Sequence, residues 1–251
     1  MKLYSETKHT RSITFKIEIK KTLRINMIYD LLQRRIEVNC RGHETRQRIV
    51  RDYEVKPEAH IKLLANQQKR SDAGAIIEDK YYIFSAKKKS DGINEVIHCG
   101  MGAARDFLKL VNHKGLPLFN PLVGNIHANN RANQSNASII NLQNENWNKT
   151  ANQLYNAIMW LIILWNAKPD TPLFKFKNDV IKYKKYEPFD YRIKSVNTAI
   201  KNGGKKRTLT DMINDYKEDN NIRSATCNFE LLQNKINDMK DEQGNNIESY
   251  F

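Results

Sequence analysis

Residues 71–98, SDAGAIIEDKYYIFSAKKKSDGINEVIH, decide the fold of the middle of the chain. They contain an apolar, aromatic-rich run, Lys80–Ala86, which follows the polar pair Glu78-Asp79. A short run of β-branched and aromatic residues beside polar turn residues is typical of a strand. We therefore predict a β-hairpin in which Ala75–Ile77 pairs with Lys80–Ala86 and the Glu-Asp-Lys sequence forms the tip.

Helical patterns surround this hairpin. A second turn, Ser90-Asp91-Gly92, leads to a strand at Asn94–His98, and Ala103–Val111 then has helical spacing. Before the hairpin, Glu44–Tyr53 and Pro57–Lys69 also have helical spacing, and proline suits the first position of a helix. The pattern predicts an α/β or α+β fold, with a mixed central β-sheet, a hairpin at about 75–98 and flanking helices.

The second half of the chain is predicted to be mainly helical. Thr150–Ala167 is apolar almost all round, which indicates a buried helix. Thr171–Tyr191 alternates lysine with aromatic residues and favours one or two strands, whereas Thr208 with Asp211 resembles a capping box. Phe229–Met239 is predicted to be the last helix. We divide the chain into a mixed α/β catalytic domain (1–124), an Asn-rich irregular connector (125–148) and a helical, basic segment with acidic C-terminal helices (149–251).

The charge of the chain indicates a polyanionic partner. Its 251 residues include 42 Lys and Arg against 28 Asp and Glu, a net charge of +14. Residues 208–251 hold four basic and nine acidic side chains and net −5, so the first 207 residues net +19. Such a field attracts nucleic acid, and we predict DNA rather than RNA as the partner. The alternative is a solvated lysine-rich surface in a compositionally biased chain; no particular oligomeric state is predicted.

Composition excludes several other classes of protein. Hydrophobic residues make up 40% of the chain, which is enough for a core and argues against wholesale disorder. The longest apolar run, Leu154–Trp165, is shorter than the roughly 20 residues that span a bilayer, so no membrane partner is expected. Three cysteines without regular spacing favour a reducing compartment, and we predict a cytoplasmic protein.

The hairpin region also contains a candidate catalytic centre. Asp72 precedes the hairpin, and Ser85-Ala86-Lys87 ends its return strand. Residues two apart on a strand share a face, so Ser85 and Lys87 point the same way. This arrangement resembles the metal-dependent nucleases with the PD-(D/E)XK signature, which include many type II restriction endonucleases. The resemblance implies a Mg²⁺-dependent DNA endonuclease in which Asp72 holds the metal and Lys87 is the catalytic lysine.

The sequence departs from that signature at one position. Ser85 stands where the nucleases have Glu or Asp. Glu58, Glu78 and Glu95 are the candidates to supply the missing carboxylate, with Glu58 on the preceding predicted helix. The alternative interpretation is a surface hairpin with a Ser-Asp cap and a solvated run of lysines.

Residues 98–105, HCGMGAAR, match the pattern H-C-x-x-G-x-x-R and resemble the phosphate loop of cysteine-dependent phosphatases. The resemblance implies that Cys99 is a thiolate nucleophile and that Arg105 binds phosphate. Asp106 stands where that family prefers Ser or Thr, and no tryptophan precedes the loop to form a W-P-D segment. The alternative is a strand-to-helix turn with a buried cysteine.

Two further sets of residues complete the predictions. A tetrahedral Zn²⁺ site would use Cys40, His43, His98 and Cys99, in a non-enzymatic DNA- or RNA-binding protein; ordinary structural roles for these residues are the alternative. Tyrosines interleaved with lysines, Tyr183 and Tyr186, would stack on bases. The candidate phosphate contacts are Lys88, Lys89, Lys182, Lys184, Lys185, Lys205, Lys206 and Arg207.

Overall fold

The computed structural model describes residues 39–64, 67–121, 147–220 and 227–251. Asn39–Phe251 forms one compact unit. Nearly all of the predicted connector (125–148) lies outside the described residues. The strands are β1 (Tyr53–Lys62), β2 (Lys69–Arg70), β3 (Ile76–Ile77), β4 (Lys80–Lys88) and β5 (Asn94–Gly100). The helices are α1 (His43–Asp52), α2 (Met101–Leu110), α3 (Lys149–Leu164), α4 (Pro172–Lys182), α5 (Asp190–Gly203), α6 (Leu209–Asp219) and α7 (Glu230–Asn237).

A three-stranded antiparallel sheet with the order β1-β4-β5 forms the centre of the first half. Helices α1 and α2 cover one face, where the rings of Phe84 and Phe107 lie 5.3 Å apart. Tyr81 and Ile83 on the other face join the core formed with the C-terminal helices. Because both faces are covered, β4 has four buried residues in a row instead of an alternating pattern. The prediction of an α+β fold with a helical C-terminal region is confirmed.

Helix α3 is the centre of the second half, as its sequence predicts. Ten of its sixteen residues are buried, on all sides of the helix. Asn148 caps it, since its side chain accepts hydrogen bonds from the backbone N–H groups of Thr150 and Ala151. None of the helices that the structure describes, α3 included, is long and apolar enough to span a membrane.

The predicted hairpin between Ala75–Ile77 and Lys80–Ala86 is wrong. Strand β3 instead pairs with β2 in a separate two-stranded sheet, and β4 pairs with β1 and β5. The chain passes between the two sheets at Glu78-Asp79, where the backbone N–H of Leu63 donates to the carbonyl of Asp79 at 2.6 Å. The turn predicted at Ser90-Asp91-Gly92 does join two strands, β4 and β5.

The helix predicted at Pro57–Lys69 is also wrong, because most of these residues lie in β1 or follow it. The pairing of β1 with β4 shifts between Pro57 and Ala59, so Glu58 lies in a bulge. Proline is tolerated at bulges and edge strands because its nitrogen has no hydrogen to donate to a neighbouring strand. Pro57 therefore marks an irregular edge strand and not the start of a helix.

The strands predicted within Thr171–Tyr191 are replaced by helix α4 and by the residues before α5. Pro172 is the first helical residue, and the buried side chains Leu173, Phe174, Lys177 and Val180 follow helical spacing. The capping box of Thr208 and Asp211 and the last helix are confirmed.

Candidate functional site

Asp72 is bound to the end of β5 and lies away from Lys87. Its carboxylate accepts the backbone N–H of His98 at 2.6 Å, and its own N–H donates to the carbonyl of His98 at 2.8 Å. In the register of the sheet, Lys87 of β4 lies opposite Asn94 of β5. Asn94 is four residues from His98, a distance of about 13 Å along the strand. The structure therefore does not bring the predicted metal ligand and the predicted catalytic lysine together.

Glu58, by contrast, does lie beside Ser85. The hydroxyl of Ser85 donates to one carboxylate oxygen of Glu58 at 3.0 Å. Ser85 and Lys87 occupy alternate positions of β4 and share a face, as predicted. Of the three glutamates considered for the missing carboxylate, Glu58 is the one that reaches this position, and it does so from the bulge of β1 and not from a helix.

Sequence reasoning missed the third member of this group, Lys177 of α4. Its ammonium lies 3.4 Å from the second carboxylate oxygen of Glu58 and also donates to the backbone carbonyl of that residue. The side chain is only 2% exposed, and this burial lowers the pKa of Lys177 to about 8 although Glu58 favours the charged form. Glu58, Ser85 and Lys177 are called the buried cluster below.

Glu78 and Glu95 take no part in the buried cluster. Glu78 is exposed and accepts a hydrogen bond from the side chain of Gln68 at 3.1 Å. Glu95 pairs with Ala86, so it lies on the opposite face of the sheet from Ser85, and it accepts the hydroxyl of Tyr53 at 3.1 Å.

The carboxylate oxygens at these positions do not form a site that fits Mg²⁺. One oxygen of Glu58 accepts from Ser85, the other pairs with Lys177, and the carboxylate of Asp72 accepts a backbone N–H. In the described ranges, no three His, Cys, Asp or Glu side chains lie close enough together to hold a metal ion. Mg²⁺ usually needs one or two free carboxylates together with water.

The predicted Zn²⁺ ligands are occupied elsewhere or buried. His43 contacts the carboxylate of Asp106 at 2.8 Å, while Cys40 and Cys99 are fully buried. Burial raises the pKa of the Cys40 thiol to about 11, which disfavours the thiolate that zinc binds. These geometries do not form a four-ligand zinc site.

The predicted phosphate loop is also absent at 98–105. Strand β5 ends at Gly100 and α2 begins at the next residue, so no loop separates the strand from the helix. Burial raises the pKa of the Cys99 thiol, whereas a nucleophilic cysteine needs a lowered pKa. Arg105 is exposed, and Asp106 pairs with Arg46 at 2.5 Å. The alternative, a strand-to-helix turn with a buried cysteine, describes this segment.

Several of the predicted phosphate contacts are engaged within the chain. Lys89 donates to the carbonyls of Val50 and Arg51 at the end of α1, and Lys88 pairs with Asp91 at 3.1 Å. Arg207 pairs with Asp215. Lys205 and Lys206 are exposed on a turn with positive φ angles of 53° and 66°.

The end of α4, the residues that follow it and the first turn of α5 present an aromatic and basic surface. Its four aromatic side chains are between 44% and 70% exposed, and they are Tyr183, Tyr186, Phe189 and Tyr191. The other large apolar side chains that the structure describes as exposed are Ile76 and Ile93, both in the first half of the unit. The basic side chains of the segment are Lys182, Lys184, Lys185 and Arg192. We call residues 182–192 the aromatic–basic surface.

Arg192 holds the rings of this surface in place. Its guanidinium carbon lies 5.6–5.8 Å from the ring centres of Tyr183, Phe189 and Tyr191, and the group pairs with Asp179 at 3.0 Å. The rings of Phe189 and Tyr191 are nearly parallel, with 17° between their planes. A cation packed against aromatic faces stabilises their arrangement.

Polar contacts with residues of two other helices hold the middle of the aromatic–basic surface. The carboxylate of Glu187 pairs with Lys235 of α7 at 3.0 Å and accepts the side-chain amide of Asn148 at 2.9 Å. The backbone N–H of Asn148 donates to the carbonyl of Lys184 at 2.8 Å. Helices α3 and α7 therefore both hold this segment, and its acidic residue at 187 is neutralised by an ion pair.

The comparisons with known proteins identify a family for most of the chain. The model of the family described as Uncharacterised conserved protein UCP028583 matches residues 38–246. The chain belongs to this family. The buried cluster and the aromatic–basic surface both lie within the residues that the family model matches. No curated protein and no solved structure matches the chain.

Proposed function

We propose that this protein binds nucleic acid through the aromatic–basic surface. The observation that carries the proposal is the exposure of four aromatic rings within nine residues, with lysines between them. Aromatic rings that remain exposed in the folded chain are typical of binding sites. Rings that offer stacking faces, together with lysines that attract phosphates, are the combination that nucleic-acid-binding proteins use.

The charge of the chain supports the same proposal. The surface lies in the first 207 residues, which net +19, and not in the acidic segment that follows. Within the surface, four basic side chains face two acidic ones, Glu187 and Asp190. Both acidic residues lie within 4 Å of Lys235, which offsets their repulsion of phosphate. DNA is our first candidate, as the sequence predicts.

The contribution of the lysines is tested by the salt dependence of binding. Lys182→Ala/Lys185→Ala is expected to weaken the binding of a labelled oligonucleotide and to lower the slope of log K against log salt by about 2. The matched control, Lys109→Ala/Lys114→Ala, removes the same charge on and beyond α2. Fluorescence anisotropy at several salt concentrations measures both. Equal slopes in the two variants would show that phosphates bind elsewhere.

Hydrolysis of the bound nucleic acid stays a prediction from the sequence motif. Since Asp72 and Lys87 lie apart and the available donors do not fit Mg²⁺, we give binding precedence over cleavage. Incubation of plasmid DNA with and without Mg²⁺ tests it. Discrete Mg²⁺-dependent fragments that disappear in Asp72→Ala, with the variant still folded, would restore the endonuclease interpretation.

A further inference from the structure

We infer that the aromatic–basic surface takes unpaired bases, so that its ligand is single-stranded nucleic acid and not a duplex. This inference rests on the proposed function and specifies its ligand. The side chains that carry it are the most exposed rings of the surface, Tyr186 at 70% and Phe189 at 63%. The face of a base is accessible only where the base is unpaired and unstacked, because a duplex presents phosphates and base edges instead.

The exposed rings distinguish this surface from a basic patch that binds nucleic acid through charge alone. A duplex binds a basic patch through its phosphates, and such binding needs lysines but no aromatic side chains. Here four rings are kept in water at a cost that a phosphate site would not require. Stacked bases remove the free faces of these rings from water, and Tyr186 and Phe189 offer the largest exposed fractions.

The surface is arranged before any ligand binds. Arg192, fixed by Asp179, contacts three of the rings, and Glu187 is bound by Lys235 and Asn148. A site that is already ordered loses little conformational entropy on binding, which favours affinity for a flexible strand. The guanidinium of Arg192 is itself engaged by Asp179 and the rings, so we assign it a positioning role and leave the phosphates to the lysines.

The test compares the binding of one nucleotide sequence as a single strand and as a duplex. A fluorescein-labelled 20-nucleotide strand of mixed sequence and its duplex with the complement are titrated by anisotropy, with the full chain. We expect the wild type to bind the single strand at least tenfold more tightly than the duplex. Tyr186→Ala/Phe189→Ala is expected to lose about 30-fold in affinity for the single strand and little for the duplex.

The control variant and the contrary outcomes separate this inference from the proposed function. Ile76→Ala/Ile93→Ala removes the two other large apolar side chains that are exposed in the described part of the chain, and this variant is expected to bind as the wild type does. Equal binding of strand and duplex, unchanged by loss of the rings, would overturn the inference and leave nucleic-acid binding intact. Binding of neither form would overturn both. Binding of poly-glutamate in place of either form, lost with the rings, would identify an acidic protein segment as the ligand.

Discussion

Glu58→Gln is expected to destabilise the protein by about 1–2 kcal/mol at neutral pH, because Lys177, whose pKa is about 8, loses its proton at that cost when its partner is removed. Lys177 is 2% exposed, and its ammonium is paired with the carboxylate that this substitution removes. Glutamine keeps the shape of the side chain and still accepts the hydroxyl of Ser85, so the change isolates the charge. Unfolding in urea measures the loss, together with a fall in Tm of roughly 5 °C.

The matched variant for this prediction is Glu58→Gln/Lys177→Met. It removes both charges of the buried cluster, and we expect it to recover most of the lost stability because no unpaired charge is left inside. If Glu58→Gln unfolds at the same urea concentration as the wild type, the pair does not stabilise the fold. A free and reactive Glu58, as the nuclease interpretation requires, would then deserve a direct test.

The stability of the wild type is expected to rise with pH between about 8 and 10.5 because of Lys177. Burial lowers the pKa of this lysine from 10.5 to about 8 in the folded protein. The unfolded chain therefore binds more protons than the folded protein in this window, and the free energy of unfolding increases with pH. The free energy of unfolding is therefore about 3 kcal/mol lower below pH 8, where Lys177 is charged, than it would be with a neutral side chain. Above pH 10.5 this penalty is absent, because the lysine is neutral in both the folded and the unfolded protein.

Other groups titrate in the same pH range, and their titration lowers the free energy of unfolding as pH rises. Burial raises the pKa of Cys40 to about 11 and that of Cys99 still further, so their contribution to stability falls as pH rises above 9. Glu58→Gln/Lys177→Met carries the same cysteines without the lysine. Subtracting its unfolding free energy from that of the wild type at pH 7.5, 9 and 10.5 isolates Lys177. A difference that stays flat or falls with pH would contradict the assignment.

The parts of the fold that the sequence predicted are those set by local chemistry. The turn at Ser90-Asp91-Gly92 joins β4 to β5, the apolar run at Thr150–Ala167 forms most of α3, and Thr208 with Asp211 begins α6. In each case, neighbouring residues alone determine the structure. The passage of β5 into α2 was predicted from the same kind of signal.

The errors come from contacts between distant residues. Strand β3 has two residues and pairs with β2, a choice that the hairpin pattern at 75–86 does not reveal. Pro57 favours a helix start in the sequence, because the bulge that accommodates it forms only when β1 pairs with β4. Since Asp72 was placed by the same hairpin, the error in the pairing carried over to the predicted catalytic centre.

The candidate sites, like the fold, were predicted from the sequence only in part. Glu58 was among the candidates to supply the carboxylate beside Ser85, but Lys177 was not predicted to neutralise it. A lysine on the apolar side of a helix is the signal, and it appears only once Pro172–Lys182 is read with helical spacing. Tyr183 and Tyr186 were predicted to stack on bases, whereas Phe189 and Tyr191 were assigned to the presumed strands and missed as exposed rings.

Cross-linking maps which residues of the protein contact the nucleic acid. The same 20-nucleotide single strand is cross-linked to the wild-type protein by ultraviolet light, and the modified peptides are identified by mass spectrometry. We expect the adducts to concentrate on the aromatic–basic surface, at residues 183–191, and to be lost when unlabelled strand competes. Adducts confined to the β4–β5 turn or to residues 205–207, with residues 183–191 unmodified, would show that the aromatic–basic surface does not bind nucleic acid.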